Sequence, residues 1–72
     1  MKYFIGTEVE CIALNLFISN TYFNGWNYSG VYEAADGSFY ILVREEDLHL
    51  FSDEQMKHVF DNVNPKELEI ET

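Results

Sequence analysis

Basic residues are scarce in this chain. Four Lys and Arg stand against 13 Asp and Glu in 72 residues, a formal charge of −9. Direct binding to nucleic acid or to an anionic membrane needs a basic footprint, so this composition argues against both. Cysteine occurs once, at Cys11, which excludes an intramolecular disulfide and suits a reducing, cytoplasmic compartment. No apolar run approaches the roughly 18 residues of a membrane span, because Asn15 interrupts the longest stretch, Cys11 to Ile18. No basic, apolar leader opens the sequence, and Asn27-Tyr28-Ser29 means little as a glycosylation pattern without a secretory route. The four glycines are scattered among turns, so no Gly-rich phosphate loop exists.

What is present is apolar and aromatic. The chain is 47% hydrophobic and 17% aromatic, well above a charged disordered segment. A chain of this length buries only about 60–65% of its unfolded surface. One compact domain spanning 1–72 is therefore expected, α+β or mostly β.

Lys2 to Ile5 reads as a short strand ended by Gly6. Thr7 to Asn20 is ambiguous. As a helix over 8–19, Val9, Ile12, Ala13, Leu16 and Phe17 form an apolar stripe, and Thr7 with Glu10 forms a capping box. Its β-branched and aromatic content tips the first half toward strand. Asn20 to Ser29 is an aromatic loop in which Asn24-Gly25 signals a tight turn. Gly30–Ala35 and Ser38–Val43 flank Asp36-Gly37 as a hairpin with a primed turn. Arg44 to Asp47 is a charged turn, and Leu48 to Phe51 a short strand. Ser52 and Gln55 then open a C-terminal helix over 52–63, with Met56, Val59, Phe60 and Val63 as its apolar stripe and Asn64-Pro65 as its stop. In the tail, Glu67, Glu69 and Glu71 alternate with Leu68 and Ile70, a pattern suited to an edge strand.

The opening Lys2-Tyr3-Phe4-Ile5-Gly6-Thr7-Glu8-Val9 resembles the start of many small phage and prophage proteins that fold as a five-stranded barrel of the Src-homology-three type. Asp36-Gly37-Ser38-Phe39-Tyr40 and Glu45-Glu46-Asp47-Leu48 are similar to the central hairpin and the helical turn before the closing strand of such barrels. The resemblance spans residues 2–51. It implies a small five-stranded antiparallel barrel or sheet and a mobile-element origin, and it carries no active site.

No constellation of residues identifies a reaction. His49 and His58 are nine apart on different elements, without the close ligand pairs of zinc sites. Cys11 lies in an apolar run, where burial makes a thiol inert. No catalytic residue, metal or cofactor is expected, and the chain reads as non-enzymatic. Tyr22, Phe23, Trp26 and Tyr28 have no neighbouring cation, which disfavours stacking on a nucleic-acid strand. Such rings either complete a small core or anchor a protein contact.

The acids are unevenly placed along the chain. Residues 45–72 carry nine Asp and Glu against Lys57 and Lys66. Glu45, Glu46, Asp47, Asp53, Glu54, Glu67, Glu69 and Glu71 are the candidate charge contacts. On an extended tail three of them repeat at about 6.6–6.8 Å. Regular negative charge resembles a phosphate backbone to a basic groove, and it speeds association by electrostatic steering. The expectation is an acidic phage or mobile-element inhibitor of a host nucleic-acid-binding protein, of the anti-CRISPR, anti-restriction or transcription-inhibitor kind. The alternative is a small barrel adaptor that binds a peptide or forms a homodimer.

Overall fold

The computed structural model describes residues 1–61 and, for the backbone alone, 65–70. Strand β1 (Lys2–Gly6) leads into helix α1 (Glu8–Tyr22), followed by β2 (Val31–Ala34) and β3 (Phe39–Val43). A 3₁₀ helix (Glu45–Leu50), the single-turn α2 (Asp53–Met56), β4 (Val59–Phe60) and β5 (Pro65–Ile70) complete the order. The chain is an α+β domain whose strands lie in the order β4-β1-β3-β2-β5, every pairing antiparallel. Among the described residues no pairing joins β4 to β5. Of the barrel or sheet that was expected, the structure is therefore the open sheet.

The segment expected to begin as a strand is instead the long helix. The capping box closes its N-terminus locally: Thr7 Oγ1 accepts from the Glu10 amide at 3.1 Å, and Glu10 Oε1 accepts from the Thr7 amide at 2.8 Å. Two orphan amides are thus satisfied at the N-terminus. Asn24 and Gly25, both at positive φ, close the other end, and the Gly25 amide donates to Ser19 O at 2.9 Å. The turn chemistry was legible, but the orientation of the helix was not. The side that α1 buries is Cys11, Leu14, Asn15, Ile18 and Ser19. The stripe of Val9, Leu16 and Phe17 points outward.

The core lies between α1 and one face of the sheet, where Phe4, Val31, Ile41 and Val43 meet Cys11, Leu14 and Ile18. Phe51 tilts against Phe4 on the same side.

The hairpin stands between β2 and β3, but its turn is not primed. Among the described residues of this turn, only Gly37 has positive φ, at 90°, whereas a primed two-residue turn needs positive φ at Asp36. Asp36 Oδ1 accepts from the Ser38 amide at 2.9 Å, and the Gly37 amide donates to Ala34 O at 3.1 Å. The side-chain turn at Asp36 lengthens the loop to three residues, with glycine at its left-handed position.

The expected strand at Leu48 to Phe51 is instead the end of the 3₁₀ helix, which starts at Glu45 and buries Asp47. Three carboxylates at its first turn suit a helix N-terminus. The expected helix over 52–63 lasts one turn. Its capping box forms, as Ser52 and Gln55 exchange bonds of 2.9 and 3.1 Å. Val59 and Phe60 then leave the helix to pair with Phe4 and Tyr3 at the edge of β1, and the Ile5 amide donates to His58 O at 2.9 Å. A β-branched and an aromatic residue beside an open strand edge favour the ladder over continued helix. Val63 and Asn64 lie outside the described residues, as does Glu71.

Candidate functional site

Register assigns the residues of the second sheet face. Phe4 pairs with Ile41, and Val31 pairs with Ile41 from the other side; all three contact the core. Because strand side chains alternate, Tyr3, Ile5, Tyr32, Tyr40 and Leu42 occupy the opposite face. Their rings meet across three strands. Tyr40 stacks on Tyr32 at 5.3 Å between centroids and meets Tyr3 edge-on at 5.5 Å. Phe60, paired with Tyr3, extends this row to β4 and is about half exposed. Sequence reading missed this face, although strands apolar at consecutive positions signal a sheet not simply solvated on one side.

At the β2 end the face runs into a cleft of about 480 Å³ lined by Phe23, Trp26, Tyr28, Tyr32, Leu42 and Arg44, among others. Here the aromatic loop and the acidic turn, separate in the sequence, come together. The Phe23 and Tyr28 rings meet at a tilt, 5.2 Å between centroids, and pack against the core, with the Arg44 guanidinium within 6 Å of both rings. Arg44 Nε donates to Asp47 Oδ2 at 2.7 Å, and the Tyr28 hydroxyl donates to the same oxygen at 2.7 Å. Burial pushes the Asp47 carboxyl up, but these two hydrogen bonds outweigh it and hold Asp47 below the usual carboxylate range. Burial, followed by the bond to Asp47, raises the Tyr28 phenol.

The aromatic candidates thus split. Phe23 and Tyr28 are core-supported walls of the cleft, Tyr22 is half exposed against Phe17, and Trp26 stands 78% exposed at the cleft rim. The loop that carries Trp26 is tied down from beneath by a residue that sequence reading treated only as an interruption. Buried Asn15 donates through Nδ2 to Asn27 Oδ1 at 2.7 Å and accepts from the Ser29 amide at 3.0 Å. Ser19 Oγ accepts from the Tyr28 amide at 2.8 Å. Two polar groups in an otherwise apolar helix face were the available signal.

The charge candidates divide as well. Asp47 is an internal strut, no longer a surface contact. Glu46 lies 3.8 Å from Arg44, and Glu54 lies 3.5 Å from Lys57, both at exposed positions where such pairs are weak. Asp61 is paired with Lys2. Glu45 and Asp53 are exposed and form no ion pair among the described residues. Glu67 and Glu69 belong to β5, where Glu69 pairs with Tyr32 at the edge of the sheet, and Glu71 lies outside the described residues.

Cys11 is fully buried, its thiol pushed up to about 11 chiefly by desolvation, which suits packing and not nucleophilic attack. Among the described residues no His, Cys, Asp and Glu gather as a metal-binding group, and no helix is long and apolar enough to cross a membrane. In comparisons with protein-family models, curated proteins and solved structures, the chain has no match.

Proposed function

We propose that this chain is a non-enzymatic inhibitor of phage or mobile-element type that covers the basic nucleic-acid-binding surface of a host protein. The supporting observation is the aromatic cleft with exposed Trp26 at its rim, beside the acidic turn of a chain with net charge −9. Tryptophan and tyrosine dominate protein contacts energetically, and a cationic side chain fits such a ring in a cleft. The carboxylates of Glu45 and Glu46 add steering toward a positive partner. Because Asp47 is internal and several other acids are locally paired, the reading rests on steric block through the cleft more than on a charge lattice imitating phosphates.

A second reading is an adaptor that takes a peptide or a second copy on the same side. It is favoured by the aromatic sheet face, where partly exposed Tyr3 and Tyr32 flank a buried Tyr40 and Phe60 is 47% exposed. The two separate in one experiment. The chain is immobilised, host lysate is passed over it, and retained proteins are challenged with duplex DNA or with salt raised from about 50 to about 200 mM. An inhibitor of the proposed kind retains a nucleic-acid-binding protein that both treatments release and that Trp26→Ala with Glu45→Lys and Glu46→Lys fails to hold. Retention indifferent to salt and nucleic acid sinks it in favour of the adaptor.

A further inference from the structure

On the opposite layer of the molecule, α1 presents an unusual outer face. A helix lying on a sheet ordinarily turns polar residues outward. Here Val9, Leu16 and Phe17 are 75%, 50% and 54% exposed, with Ala13 exposed among them. These positions fall at i, i+4, i+7 and i+8, so they form one continuous stripe along the helix. Beside it runs a groove of about 450 Å³ between α1 and α2, with Phe4, Ala13 and Phe17 among its apolar lining and Glu10, Glu54 and His58 at its polar rim. An apolar helix stripe next to a groove is the geometry that receives a second helix.

Charge selects the occupant. Glu10 is held ionised by its bonds from Thr7, chiefly the backbone amide, and Glu54 has only a long, exposed pairing with Lys57. A second copy of this chain would bring another net charge of −9 against the same rim, so self-association is disfavoured here. We propose that the α1 stripe and its groove dock a basic amphipathic helix of a partner protein, with an apolar face on Phe17 and Leu16 and Lys or Arg against Glu10 and Glu54. This goes beyond the cleft of the proposed function, since the two surfaces share none of these residues.

The test uses the intact chain and three labelled synthetic peptides: an amphipathic helix of Leu and Lys, the same composition scrambled to destroy its apolar face, and the Leu and Glu counterpart. Anisotropy measures affinity, and amide chemical shifts map the contact. The amphipathic Lys peptide is expected to bind with shifts centred on Val9 to Phe17, and Phe17→Ser to weaken it at least about tenfold. Glu10→Gln with Glu54→Gln should weaken it several-fold and flatten its salt dependence; glutamine at position 10 keeps the capping box. Trp26→Ala should leave it unchanged. Three results overturn the proposal: equal binding of the scrambled peptide, absence of binding, or shifts centred on Trp26 and Tyr28. Dimerisation by sedimentation that Phe17→Ser abolishes overturns it in favour of a second copy. None of these outcomes bears on Trp26-dependent capture of a host protein, so the two readings fail separately.

Discussion

The two sides of α1 differ opposite to expectation. Its inner side holds Asn15 and Ser19 beside Cys11, Leu14 and Ile18, while its exposed side carries an apolar stripe of Val9, Ala13, Leu16 and Phe17 among Glu8, Glu10 and Asn20. Hydrophobicity alone gives this helix almost no preferred side, because apolar residues are spread nearly evenly around it. The inner polar groups have partners that exist only in the fold: the amides of Tyr28 and Ser29 and the side chain of Asn27. With every buried side-chain polar atom satisfied among the described residues, Asn15 sits in the core without penalty. The helix was oriented by hydrogen-bond demand in the returning loop, and apolar area was left outside.

This contrast can be attacked in four ways. The largest effect is expected from Ile18→Ala, which removes a fully buried side chain at the centre of the inner face. It should cost about 2–5 kcal/mol in urea unfolding. Next is Asn15→Leu. If apolar content set the orientation, leucine would stabilise; because it strands the Ser29 amide and Asn27, a loss of about 1–3 kcal/mol is expected. Trp26 fluorescence should change with it as the loop loosens.

A smaller and pH-specific effect comes from the strut beneath the cleft. Asp47 has a lowered pKa in the folded state, so its contribution is full above the unfolded value of about 3.9 and falls as the pH drops through the folded value. Tyr28 has a raised pKa, so its contribution is full below about 10 and falls as the pH rises toward the folded value. Asp47→Asn should flatten the acid limb of the stability–pH curve and bring the alkaline limb to lower apparent loss. An unchanged acid limb would remove Asp47 from this role. The smallest effect is expected for Leu16→Ala, within about 0.5 kcal/mol, because its side chain already meets solvent. A loss near that of Ile18→Ala would mean that the outer stripe is covered in solution.

The candidate site was half legible for the same reason. Tyr22, Phe23, Trp26 and Tyr28 stand out as a local cluster, and Trp26 does reach the surface. Arg44, Asp47 and Tyr32 could not be joined to them from sequence, because their distances are long-range products of the hairpin returning past the loop. The tyrosine row on the open face depends on cross-strand register, which is a tertiary quantity as well.

Local chemistry by itself determined both capping boxes, the left-handed Asn24-Gly25 closure and the two strands of the hairpin, since each rests on bonds within a few residues. Only the assembled structure decided that 8–22 is helix with its polar side inward, that Val59 and Phe60 pair with β1, and that the sheet stays open. Those outcomes depend on partners remote in sequence, and a buried amide or a strand edge selects its neighbour by the hydrogen bonds it would otherwise lack.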